Sequence, residues 1–172
     1  VLKYGEKSTP VPGPGEVCVR LYAAGVNPNE AYIRTGTYAF YMPALPYTPG
    51  FDGSGIVEAL GEDVHHLKIG DRVFVAALLA SKNTGTYAQR VVCDKDSVHL
   101  LPESLSFQQG AALGIPALSA YRALVQRAQI KPGQCVLIHG ASGGVGQLAV
   151  QIAKAMGTKV IGTASSEQGK AL

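Results

Sequence analysis

Residues 140–146 read GASGGVG, and this glycine-rich turn is the segment best suited to hold a charged ligand. A diphosphate needs backbone N–H groups aimed at it and no side chain in the way. A helix that starts straight out of a glycine turn offers both, because its first N–H groups are unpaired and its dipole favours anions. On this reading a side chain at Gly143 or Gly144 blocks the anion, and Gly146 lets the helix pack close to the preceding strand. The spacing G-x-x-G-x-x-G differs from the commoner G-x-G-x-x-G, and a glycine run alone also fits a turn in an α/β protein that binds nothing.

The flanks favour binding. Residues 134–139, QCVLIH, predict a short strand. After the turn, Val145, Leu148, Ala149, Ile152, Ala153 and Met156 recur at the helical period and predict one buried stripe. Gly157 is placed to stop that helix as a C′ residue. Residues 159–163, KVIGT, predict a second strand, so the segment is a βαβ unit. Dinucleotide sites that prefer a free ribose 2′-OH put Asp or Glu at the end of the second strand. Here that end carries Ala164, Ser165 and Ser166. Without a carboxylate there, a 2′-phosphate is not repelled, and the serine hydroxyls with Lys170 can hold it. The expected cofactor is NADPH. Glu167 argues the other way, and reads instead as a first-turn helix acid.

The elements upstream differ in kind. Residues 16–22, 54–60, 71–77 and 85–92 read as short strands between turn signals, a β-rich, barrel-like arrangement. Residues 107–128 predict two helices broken near Gly114-Ile115-Pro116. The expected fold is α/β: a β-rich domain over residues 1–104, then a dinucleotide-binding domain begun over 105–172. An apolar fraction of 47% with 16% charged residues excludes a disordered chain. The longest apolar run, Val73 to Ala80, has eight residues, too few to span a bilayer. The net charge of +3 is scattered and reads as solubility charge, not a nucleic-acid footprint. Cys18, Cys93 and Cys135 are odd in number and far apart, which fits neither a disulfide framework nor a CxxC site and suggests a reducing compartment.

Six segments together resemble one family: AAGVNPNEAYIRTGTY (23–38), LPYTPGFDGSGIVEALG (45–61), KIGDRV (68–73), GTYAQ (85–89), GIPALSAYRAL (114–124) and HGASGGVG (139–146). They are similar to the quinone oxidoreductase, or zeta-crystallin, branch of the medium-chain dehydrogenase/reductases. The resemblance implies a GroES-like catalytic domain followed by a Rossmann domain, and NADPH-dependent quinone reduction. It carries Asn27, Tyr32 and Tyr38 to the nicotinamide and substrate cleft. It carries Ser142, Gly143, Gly144 and Val145 to the pyrophosphate, Ser165 to the adenine-ribose end and Ser119 to the neighbourhood of the nicotinamide. Where zinc-dependent relatives have Cys and His, this chain has Asn27 and Phe51, and their four-cysteine lobe is missing. Neither residue supplies the thiolate or imidazole of a catalytic zinc, so no metal is expected. Many members carry Lys one position before Lys170; here it is Gly169.

Other residues keep two readings. Arg34 and Asp52 either pair or line the cleft. Tyr47 and Tyr121 read as packing, and His139 as a structural group that closes a strand. His65, His66 and His99 read as turn and strand-end residues. Two strands are too few for a doubly wound sheet, so the chain reads as part of a longer protein whose βαβ unit alone exposes an apolar edge and face. The alternatives to the quinone reductase are a repurposed structural or binding subunit and an enone double-bond reductase. A cytoplasmic homo-oligomer is the expected setting, with an organellar matrix left open. RNA binding enters only by family analogy.

Overall fold

The computed structural model describes residues 2–171. The chain divides into two compact units, one ending at Gly114 and the next beginning at Ile115.

In the first unit five antiparallel strands form one sheet. They are β1 (Glu16–Ala24), β2 (Asp52–Leu60), β3 (Arg72–Ala76), β4 (Arg90–Asp94) and β5 (Val98–Leu100), in the order β4-β1-β2-β3-β5. Val19 lies opposite Val57 on one side and Val91 on the other, so β1 is paired along both edges. Val17, Val19, Val57, Val73, Val75, Val91 and Val98 are all at most 1% exposed. β-Branched side chains suit a pleated, buried surface, and each such valine contributes roughly 1.5–3 kcal/mol on burial. Two short helices flank the sheet, α1 (Pro28–Thr35) and α2 (Phe107–Ala111).

The strand expected over 85–92 starts five residues later, at Arg90. The N–H groups of Thr86 and Tyr87 donate to the carbonyls of Gly50 and Pro49, and that of Gly85 to the Asn83 side chain. Residues 85–87 therefore close a turn against residues 49–50 and are not free to join a ladder.

α3 spans Gly114–Tyr121, all but its first residue in the second unit, and runs into a π-helical turn over Arg122–Arg127. The helix break expected at 114–116 falls earlier, at Ala112 and Leu113. Pro116 lies in the first turn of α3, where a missing N–H costs nothing. Next come β6 (Cys135–Ile138), α4 (Gly144–Ala155), β7 (Lys159–Gly162) and the single turn α5 (Glu167–Lys170). β6 and β7 pair in parallel, from Cys135 opposite Lys159 to Ile138 opposite Gly162, which completes the βαβ unit.

Gly157 ends α4 with φ of 74°, a left-handed turn that glycine adopts without strain. Ala149 and Ala153 are buried against Ile138, Ala120 and Leu124, with Leu148, Ile152 and Met156 packed around them. Val145 departs from the expected stripe and is 44% exposed. The first turn of α4 sits against the glycine loop, with Gly146 close to Gly140 and Ala141. Leu137 and Ile161 stand opposite each other on the outer face of the strand pair, 57% and 49% exposed.

Candidate functional site

The second unit holds the glycine turn. α4 starts from Gly143, whose extended backbone carries no side-chain cap. The first i→i−4 bond of the helix is from Gln147 N–H to Gly143 C=O, and Gly143 N–H turns back to Gly140 C=O. The N–H groups of Gly144, Val145 and Gly146 thus lie ahead of the ladder, on a helix end whose dipole attracts anions.

The glycines differ in what they are for. A Cβ on Gly146 would lie 2.1 Å from the Gly140 carbonyl oxygen and 2.8 Å from Ala141 Cα, so the fold itself requires glycine there. On Gly143 it would lie 3.3 Å from the Gly140 oxygen, and on Gly144 it would meet only Pro116 Cγ at 4.0 Å. Packing does not explain a glycine at 144. The loop is tied to the end of β7: Ala141 N–H donates to Thr163 C=O at 2.8 Å, and His139 Nδ1 is 3.1 Å from Thr163 Oγ1. His139 is therefore engaged in holding the turn.

At the end of β7, Ser165 is exposed. Ser166 caps α5 by accepting the Gly169 N–H at 3.1 Å. Lys170 Nζ is 2.6 Å from Glu167 Oε1, so the expected phosphate contact and its counter-evidence form one exposed ion pair. A Cβ on Gly169 would lie 2.8 Å from Ser142 Oγ, which places α5 directly against the glycine turn. Ser119 is exposed on α3, and Tyr121 is half exposed where packing was expected.

The first unit gathers a second set around Asn27. The sequence Asn27-Pro28-Asn29-Glu30 starts α1 with an N-cap residue, proline in the first turn and a glutamate at the third position. Glu30, 5% exposed, folds back so that its Oε2 accepts the Asn27 N–H at 2.9 Å. Its Oε1 accepts the Phe51 N–H at 3.3 Å, and Tyr87 donates its hydroxyl to Oε2. Asn27 Nδ2 donates to Asp52 Oδ2 at 2.8 Å, with both residues buried. Asp52 therefore pairs with Asn27, while Arg34 is exposed.

Gly50 and Gly85, both at positive φ, make this cluster possible. Their Cβ atoms would fall 2.2 Å from Thr86 Oγ1 and 2.1 Å from the Thr48 oxygen, so the two loops touch backbone to backbone and bring Tyr87 to Glu30. Burial, then the hydrogen bond to Glu30, raises the Tyr87 pKa above the ordinary tyrosine range, and the hydroxyl stays protonated as a donor. Tyr32 is 55% exposed on α1, and Tyr38 is half-buried with its ring edge-on to Phe40. Phe51 packs edge-on against Tyr41. Among the described residues no three His, Cys, Asp or Glu side chains converge. No helix there is long and apolar enough to cross a membrane.

The sequence reading missed Glu30 and Tyr87. The Asn-to-Glu spacing of a capping box was a local sign for Glu30. Tyr87 stands 57 positions from Glu30 and has no such sign.

An antiparallel β-rich unit followed by a glycine-turn βαβ unit defines a GroES-like domain joined to the opening of a Rossmann fold. Residues 13–103 match the alcohol dehydrogenase GroES-like domain, and the chain belongs to that family. It is 52% identical over 161 residues to a quinone oxidoreductase of Sus scrofa, covering 94% of this chain and 47% of that protein. The Escherichia coli quinone oxidoreductase crystallised with NADPH superimposes with a TM-score of 0.81 at 36% identity, covering 96% of this chain and 49% of that one. The CurK enoyl reductase superimposes with a TM-score of 0.86 at 30% identity, covering 98% and 52%. The chain spans about half the length of the curated relatives it matches.

Proposed function

We propose that the protein is an NADPH-dependent quinone reductase that works without a metal. The observation carrying this is Gly144, a position the fold leaves free for a side chain and the sequence leaves bare, on an uncapped helix end. The chain's similarity to quinone oxidoreductases supplies the reaction class. In this reading the first unit binds substrate and the second belongs to the dinucleotide domain.

The dinucleotide, when bound, supplies a hydride. Everything else falls to the chain. The N–H groups of Gly144, Val145 and Gly146 receive the diphosphate, with Ser142 and Gly143 shaping the turn. Ser165 and Lys170 take the 2′-phosphate, with Lys170 exchanging Glu167 for it, and Ser119 lies toward the nicotinamide. Asn27 donates a hydrogen bond to the substrate oxygen, and Tyr32 and Tyr38 flank the substrate and nicotinamide. A quinone accepts the hydride to give an aromatic hydroquinone anion, which solvent then protonates. That acceptor is electrophilic enough to need positioning and weak hydrogen bonding, not a Lewis acid.

A conjugated enone undergoes the same transfer, and the likeness to an enoyl reductase favours it as the second substrate class. A soluble cytoplasmic homo-oligomer is the setting we assign. The test is NADPH oxidation, followed by absorbance, with an ortho-quinone and an enone in parallel and NADH as comparison. Quinone turnover that prefers NADPH supports the reading. Binding of neither nucleotide refutes it.

A further inference from the structure

We propose that Asp52 is a positioning residue that decides which end of the Asn27 carboxamide is turned to the substrate. The proposal rests on the functional reading above. Asp52 is 1% exposed, and its Oδ2 lies 2.8 Å from Asn27 Nδ2. In that contact the carboxyl oxygen accepts and the amide nitrogen donates, which turns the amide oxygen away from Asp52. Glu30 fixes the same residue from the main-chain side, through Asn27 N–H at 2.9 Å. Two buried carboxylates thus hold the backbone and the side chain of one asparagine.

Asp52 has little room to turn. A Cβ on Gly25 would lie 2.9 Å from Asp52 Cβ, and one on Gly114 would lie 2.1 Å from Asp52 Oδ1. Neither neighbour can carry a side chain while Asp52 stays where it is. The carboxylate is held by the packing around it, as an orienting group must be. Asn27 Nδ2 carries two hydrogens, and Asp52 takes one of them. The second is left to donate to a substrate oxygen that becomes negative on hydride transfer. A flipped amide would present an acceptor to that oxygen and oppose the charge.

The experiment compares Asp52→Asn, Asn27→Asp and the exchange of both with unsubstituted protein, by NADPH–quinone kinetics and thermal unfolding. The exchange conserves charge, volume and the hydrogen bond but puts an acceptor where the donor was. The expected result for Asp52→Asn is a kcat lower by about ten- to a hundredfold, the worth of one hydrogen bond to a charged group, with KM for NADPH unchanged. The exchange is expected to restore the unfolding midpoint and leave kcat low. Recovery of both by the exchange overturns the proposal, because Asp52 is then structural only. So does unaltered kcat in Asp52→Asn. If Asp52→Asn alone fails to fold, the exchange decides in the same way. Absence of turnover in the unsubstituted protein refutes the functional reading instead.

Discussion

Replacing Gly144 by alanine separates what the glycine turn does for the fold from what it does for a ligand. The added methyl meets only Pro116 Cγ at 4.0 Å, in backbone of ordinary helical geometry. Alanine in a helix is better than glycine by roughly 0.5–1 kcal/mol, so the unfolding midpoint holds or rises. On the binding side the methyl takes up space at the helix end where the proposed diphosphate meets the N–H groups of Gly144 and Val145. Two charge-assisted hydrogen bonds at about 1.5–3 kcal/mol each make a loss of about 3–6 kcal/mol. That weakens NADPH by roughly a hundredfold to ten-thousandfold. Gly146→Ala is the counterpart: its methyl would press into the backbone of Gly140 and Ala141, costing about 1–3 kcal/mol of stability or more. Calorimetric titration and thermal unfolding read both variants. The reasoning fails if Gly144→Ala binds NADPH normally, or if it loses binding only along with its fold.

Two further predictions concern charged groups. Burial and Glu30 raise the Tyr87 pKa, so the neutral hydroxyl is favoured in the folded state. Its stabilising effect is complete below about pH 10, the ordinary tyrosine value, and is lost as the pH rises beyond it. Tyr87→Phe is expected to lower stability at neutral pH by about 1–3 kcal/mol and to flatten the alkaline decline. The Cys93 thiol, pushed up to about 12 chiefly by burial, adds a comparable decline that begins lower, above the ordinary thiol value, so Cys93→Ala serves to separate it from the Tyr87 effect in an unfolding series across alkaline pH. At the ribose end, Glu167→Gln frees Lys170 from its 2.6 Å partner and removes a charge that opposes a 2′-phosphate. NADPH is then expected to bind a few-fold more tightly and NADH unchanged; equal shifts for both would show that Lys170 does not face the phosphate.

The glycine turn was legible because its evidence is local. Strand, turn, helix and strand follow one another within 30 residues, and the helical period from Leu148 to Met156 needs no distant partner. Val145 was misjudged for a related reason: the period shows where a helix face points, not where the sheet beneath it ends. The strand ladder of the first unit was legible to within a few residues except at Gly85–Gln89 and at β5, whose three residues were not read as a strand. At Gly85–Gln89 the Thr86 and Tyr87 donors are taken by Gly50 and Pro49, a contact that leaves no mark in the local pattern. The cluster around Asn27 was half legible. Asn27 and Asp52 were named with no sign that they meet, since residues 25 positions apart are joined only once α1 and β2 are in place. Glu30 had the local sign of a capping box, whereas Tyr87, 57 positions from it, had none.

The central claim is that the start of α4 receives the diphosphate of a dinucleotide, and amide NMR of the isotope-labelled protein during NADPH titration tests it directly. The account predicts that the largest shifts fall on the amides of Gly144, Val145 and Gly146, with smaller ones at Ser165. Saturable binding that leaves those three amides unmoved would contradict it.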